Sequence, residues 1–219
     1  MRDWEKIVAV LDEDAGEIAK KTAEWREEKG FETSWDNFAE KLMLVVTEVS
    51  EVNEGADAAI LSFQSISNAR NSDMLKTHAD ALTKHVDNYV EEWIDVMVRV
   101  MDLAGSCNIP VAVNPRSLAD ETDTQLEVVL VQYSHERSRE VVRLLSKGME
   151  VFRDIVLEDD EGVVKPQDWH HVDEMSQWLS AVLGIAAGGV NDLGRSWKNE
   201  YARKMITNEG RKPKHGRQR

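Results

Sequence analysis

The segment from Asn88 to Leu103, NYVEEWIDVMVRVMDL, limits the possible folds more than any other part of the chain. At ~100° per residue on a helix, Asn88, Glu91, Glu92, Asp95, Arg99 and Asp102 fall on one narrow stripe. The rest of the circumference, from Tyr89 and Trp93 through Met101 to Ala104, is apolar. A surface helix has a narrow apolar stripe and a broad polar face; here the proportions are reversed. Such a helix must be surrounded by protein, and its acids must face something inside it. Carboxylates in that setting are neutralised by protonation, by pairing or by a metal ion.

The partners of this helix are expected to be other helices. Four prolines, twelve glycines and little apolar–polar alternation in 219 residues predict an all-α fold. That length suffices for the core of one domain. A formal charge of -14 argues against a nucleic-acid partner, which needs a basic footprint. The longest nearly uncharged apolar stretch, Trp178 to Val190, is too short to span a bilayer. MRDWEK at the start has no signal-peptide core, and one cysteine, Cys107, allows no internal disulfide. The expectation is a soluble cytoplasmic protein with no membrane contact.

Caps and breakers predict a bundle of about five main helices. The first runs from Trp4 to Glu28 and ends at Lys29-Gly30. The second, capped by Ser34 or Asp36, runs from Trp35 to Ala59. A polar stretch from Ser65 to Asp73 precedes the inverted helix, which ends near Gly105. Asn108 to Asp120, with two prolines, reads as a linker. Helices from Thr122 to Leu157 and from Gln167 to Asn208 follow, separated by the acidic turn EDDEG. A shift of 82 residues lays EEWIDVMVRVMDLAG over DEMSQWLSAVLGIAA, apolar on apolar at most positions. This suggests one all-α domain, 1–219, with a duplicated hairpin: halves 1–110 and 119–208, then a basic tail, 209–219. The acids are lost in the second copy: Asp95 aligns with Gln177 and Asp102 with Gly184, while Glu92 aligns with Glu174, and a looser match of LMLVVTEVSE with VLVQYSHERS sets Glu48 on His135 and Glu51 on Ser138. The chemistry is therefore expected in the first half alone.

The second helix carries a matching pair. In KLMLVVTEVSEVNE, Glu48 and Glu51 lie three apart and share a face. Glu48 is flanked by Leu44, Val45 and Val52 and borders the core. Glu92 and Asp95 repeat the spacing on the inverted helix. Acids three apart are commonly just a solvated face, but two such pairs at a core border favour a metal site. Four facing carboxylates repel strongly, and magnesium, a hard oxygen-seeking cation, relieves this, with manganese as a substitute. Zinc lacks a suitably spaced Cys/His set, because His170 and His171 are adjacent. Arg99 offers a competing outcome, a buried ion pair with Asp95 or Asp102. Near the end, Lys204, Asn208 and Arg211 fall at i, i+4 and i+7, a spacing suited to phosphate oxygens.

In order along the chain, WREEKGF, EKLMLVVTEVSEVNEG, EEWIDVMVRVMDLAG and KMITNEGRKPKHG resemble the segments of the MazG-like all-α nucleoside triphosphate pyrophosphohydrolases. The added stretch from Asn114 to Asn199 departs from short members, in the manner of dimeric dUTPase-like proteins with fused repeats. The resemblance implies magnesium-dependent hydrolysis of a nucleoside triphosphate to a monophosphate and pyrophosphate, in a homo-oligomer expected to be a dimer. Glu48, Glu51, Glu92 and Asp95 would be the catalytic metal ligands, with Asp102 completing the metal shell or binding Lys204. Lys204, Asn208 and Arg211 would hold phosphates, and Trp25, Lys29 and Phe31 would lie near the base. A Trp and Phe merely closing the core would have the same spacing. Two alternatives remain: a non-catalytic nucleotide sensor or interaction module on the same fold, and a structural bundle held by Arg99 ion pairs.

Overall fold

The computed structural model of the chain describes residues 2–9, 15–117, 130, 133–158, 164–166 and 169–210. Its fold is organised around the inverted helix. Helices α1 (Trp4–Ala9) and α2 (Gly16–Glu28) precede two long ones, α3 (Phe38–Ser67) and α4 (Ser72–Ser106). Then come α5 (Ser134–Ile155), a two-stranded antiparallel ribbon of β1 (Val156–Glu158) and β2 (Val164–Pro166), α6 (Trp169–Asn191) and α7 (Trp197–Glu209). α4 is packed by α2, α3, α6 and α7, which explains why most of its circumference is apolar. Tyr89, Val90, Trp93, Val96, Met97, Val100 and Met101 are fully buried. Only a narrow seam remains for its polar side chains.

α3, α4, α6 and α5 form a cyclic four-helix arrangement, with α5 touching α3 and α6. Aromatic rings join its members: Trp35 stacks on Phe38 of α3 at 5.3 Å between centroids, and Phe38 on Phe152 of α5 at 5.0 Å. Trp178 of α6 meets Phe38 edge-on at 6.4 Å. The second hairpin thus packs against the first, burying a shared core.

α4 ends on a left-handed residue. Asn108, at φ 53°, stands where glycine is usual, and the Ile109 N–H donates to the Ala104 carbonyl at 2.8 Å, closing the helix end. From there residues 108–117 run as a strap along α6. The Ala112 N–H donates to Ser180 Oγ at 3.0 Å and the Arg116 N–H to the Gly184 carbonyl at 2.9 Å. A Cβ on Gly184 would lie 2.5 Å from the Asn114 oxygen, and one on Gly188 2.0 Å from that of Arg116. The glycines that interrupt the apolar run in α6 are therefore the seat of the strap.

Several expected boundaries differ. The first helix is described as two segments on either side of residues 10–14, which lie outside the described residues. α3 starts after Asn37 rather than at a Ser34 or Asp36 cap: Asn37 is held by the Ser34 N–H to its Oδ1 (3.0 Å) and by its own Nδ2 to the Glu32 carbonyl (3.1 Å). α3 also runs to Ser67, eight residues past Ala59, because α4 packs beside it there. The final helix breaks at Gly194, whose φ of 71° turns the chain so that α7 can run back along α4. The expected helix from Thr122 to Leu157, whose residues 122–129 lie outside the described residues, gives way at its end to the short ribbon, placing Val156 to Glu158 in a strand. Among the described residues, no helix is long and apolar enough to cross a membrane.

Candidate functional site

The seam left on α4 opens between α3 on one side and α2 with α7 on the other. Its floor is the polar stripe. Glu48 and Glu51 project from α3 toward Glu92 of α4, and each of the three offers a carboxylate oxygen within 4.8 Å of the other two. Glu48 is buried, held among Val45, Val49 and Val52 as its spacing requires. Glu92 is half-buried and Glu51 exposed. A cavity of about 350 Å³ adjoins them, lined by Thr47, Glu51, Glu54, His85, Asn88 and Glu92. His85 is seven residues before Glu92, so the helical stripe extends to it; its Nδ1 lies 3.1 Å from the Ala58 carbonyl and 2.9 Å from Ser62 Oγ.

Asp95 turns to the other wall. Lys204 Nζ of α7 donates to Asp95 Oδ2 at 2.5 Å and to Glu91 Oε1 at 2.7 Å. Lys204 thus joins the site, but through Asp95 and Glu91 rather than Asp102. Arg99 pairs with neither Asp95 nor Asp102: its Nε donates to Glu48 Oε1 at 2.8 Å. Two cations therefore answer five carboxylates along the seam.

The imbalance appears in the proton affinities. Burial, then repulsion from Asp95 and Glu51, raises the Glu92 pKa to about 7, with Lys204 opposing. Burial also pushes the Asp95 carboxyl up, against the pull of Lys204. Lys204 is disfavoured as a cation by burial, but Asp95 and Glu91 outweigh this and hold its pKa above the ordinary value. The site stores carboxylate repulsion that a cation would relieve.

Asp102 lies apart from this group. Arg26 Nε of α2 donates to Asp102 Oδ2 at 2.5 Å, Thr33 Oγ1 donates to the same oxygen at 2.9 Å, and both members of the ion pair are nearly inaccessible. Arg26 also sits 4.5 Å over the Phe31 ring. Asp102 therefore ties α4 to α2 and the 31–34 loop, outside the group of Glu48, Glu51 and Glu92. Sequence reasoning missed Arg26 and Glu91, although Glu91 lay on the stripe; nothing in WREEKGF marks its arginine as the buried one.

Of the residues expected near a base, Trp25 is buried in the core, and Lys29 Nζ donates to the Glu209 carbonyl at 3.0 Å, holding the end of α7. Phe31 lines a larger cleft of about 770 Å³ with Thr33, Ser34, Gly105 and Ser106, which none of the four site acids lines. Asn208, one turn beyond Lys204 on the same face, is buried, and its Oδ1 has no hydrogen-bond partner among the described residues. A buried amide oxygen left alone is a group that a ligand or water would satisfy. Arg211 and the tail after it, with the last residues of the expected Asn108–Asp120 linker, 118–120, lie outside the described residues. The side chains of His170 and His171 do too.

The donor set fits a hard divalent ion: three carboxylate oxygens from two helices, with no sulfur or imidazole among them. Oxygens sharing one magnesium lie at most ~4.2 Å apart, so small side-chain adjustments would close the group. No family model, curated protein or solved structure matches the chain.

Proposed function

We propose that this protein is a divalent-metal-dependent nucleoside triphosphate pyrophosphohydrolase of the MazG-like kind, releasing a monophosphate and pyrophosphate. The observation that carries the reading is the convergence of Glu48, Glu51 and Glu92 beside the Asp95–Lys204 pair, on the seam of an otherwise apolar helix. Glu48, Glu51 and Glu92 would hold the ion, with Asp95 beside them. A bound magnesium or manganese would neutralise phosphate oxygens and make water a better nucleophile.

The chain's own residues divide the remaining work. Glu48 Oε1 is committed to Arg99, whereas exposed Glu51 makes no hydrogen bond among the described residues and is reachable by water. Glu51 is therefore the preferred base toward the attacking water at the α-phosphorus. Lys204, held by two carboxylates, presents a point charge for a phosphate oxygen, and Asn208 orients a neighbouring group. The P–O bond to the β-phosphate breaks and pyrophosphate leaves with its charge.

The test is a panel of canonical and modified ribo- and deoxyribonucleoside triphosphates with magnesium or manganese, scored for pyrophosphate. Turnover abolished by Glu51→Ala, with helicity retained, is the expected result. Folded protein that leaves every substrate intact would refute the enzyme reading. Nucleotide-dependent thermal stabilisation without product would replace it with a sensor.

A further inference from the structure

The arginine on the seam has no place in the roles assigned so far. Arg99 lies one turn beyond Asp95 on α4, and its Nε is anchored on Glu48, the buried member of the acid group. Its side chain is 27% exposed, and neither Nη makes a hydrogen bond among the described residues. A guanidinium used only to neutralise a buried carboxylate would gain by a bidentate grip, since two parallel N–H···O bonds are the strong form of that pair. Here one edge holds Glu48 and the planar N–H pair is left open. It stands next to the carboxylates that would hold a divalent ion and is close enough to Arg26 for the two cations to repel. Arg99 is bonded to one acid of the group, Glu48, as Lys204 is bonded to its neighbour on the stripe, Asp95.

We propose that Arg99 is a phosphate-binding residue of the site, its Nε orienting Glu48 while its two Nη groups grip oxygens of a polyphosphate bound there. The proposal rests on the pyrophosphohydrolase reading and adds a phosphate ligand to it. The guanidinium geometry matters: a planar pair of donors matches two phosphate oxygens, which a lysine ammonium, a point charge, does not. Arg99 therefore helps select substrates with a polyphosphate chain over monophosphates. By occupying Oε1 of Glu48, it would leave the other oxygen of that carboxylate to hold an ion.

The test separates ion binding from phosphate binding. Mn2+ binding to the full chain is measured by electron paramagnetic resonance, and inorganic pyrophosphate binding by calorimetry at saturating Mn2+. The wild-type chain, Arg99→Lys and Arg99→Met are compared, each checked for native helicity. Both variants are expected to keep Mn2+ affinity within about threefold and to lose at least tenfold in pyrophosphate affinity, a change of about 1.4 kcal/mol or more. Inorganic phosphate, which offers a shorter anion, should discriminate less between the three proteins. Pyrophosphate affinity unchanged within twofold in both variants overturns the assignment. So does a tenfold loss of Mn2+ affinity in both variants, with unchanged pyrophosphate binding once Mn2+ is saturating, since Arg99 would then only orient Glu48. If wild-type protein binds no Mn2+ at all, the pyrophosphohydrolase reading itself falls.

Discussion

Glu92→Gln should stabilise the metal-free protein while removing its response to magnesium. The wild-type carboxyl has its pKa lifted from 4.5 to about 7 by burial and by Asp95 and Glu51. A raised acid pKa means that the folded state holds its proton to higher pH than the unfolded state. Stability is therefore lost as pH climbs from about 4.5 to 7 and stays lost above. The full shift corresponds to about 3 kcal/mol at pH 8. Because Glu92 is only half-buried, screening by solvent cuts this to roughly 1.5–3 kcal/mol. At pH 5 the penalty is below about 1 kcal/mol, since folded Glu92 is then largely protonated. Glutamine keeps the shape and has no charge to lose, so the variant's advantage should grow between pH 5 and pH 8. Urea unfolding in the presence of a chelator, at three pH values across that range, measures it. Repeating the pH 8 series with millimolar magnesium should raise wild-type stability and leave the variant unmoved. A variant less stable than wild type at pH 8 would refute the argument, as would an advantage independent of pH, because either result means that carboxylate repulsion at the seam is not the governing energy.

Asp102→Asn should leave Arg26 an uncompensated buried cation and cost about 3–5 kcal/mol in urea unfolding, with Mn2+ binding intact because Asp102 lies outside the group of Glu48, Glu51 and Glu92. Gly188→Ala should lower Tm through a cost of about 1–3 kcal/mol or more, since its Cβ would meet the Arg116 carbonyl of the strap at 2.0 Å. Surface alanine substitutions on α6 provide the comparison. Cys107 is buried and its thiol is pushed up to about 12 by burial and Asp102, so at pH 8 it is protonated in the folded protein. A thiol reagent should label it only at the rate of opening, and prompt labelling of native protein would contradict its placement.

Periodicity carried the inverted helix and the acid pairs into the structure because both are local properties of one helix. A 3.6-residue repeat decides which side chains share a stripe, and α4 needed no partner for that to be read. What the stripe meets depends on elements far away in sequence. Lys204 reaches Asp95 across 109 residues and Arg26 reaches Asp102 across 76, and no spacing rule chooses among the seam's acids for either cation. Arg99 could be placed beside a carboxylate from the stripe, but the choice of Glu48 required knowing how α3 lies on α4. Helix ends failed for two reasons: tertiary packing carries α3 beyond Ala59, whereas Gly194 breaks the expected final helix through its own positive φ.

The division of the stripe explains how one helix serves both stability and chemistry. At its C-terminal end, Asp102 is nearly inaccessible, accepts from Arg26, Thr33 and Ser106, and lies against Arg26 in a cation–carboxylate pair. At the other end, Glu92 and Glu51 face a cavity with no cation bonded to either among the described residues. Asp95 and Arg99 lie between, each tied to a group on a different helix. Along roughly three turns of α4, the carboxylates pass from compensated and closed to uncompensated and open. Removing charge at the closed end should therefore destabilise the fold, while removing it at the open end should stabilise it. Opposite signs for Asp102→Asn and Glu92→Gln at pH 8, measured in the same buffer, distinguish this gradient from a uniformly solvated acidic face, on which both substitutions would be nearly neutral.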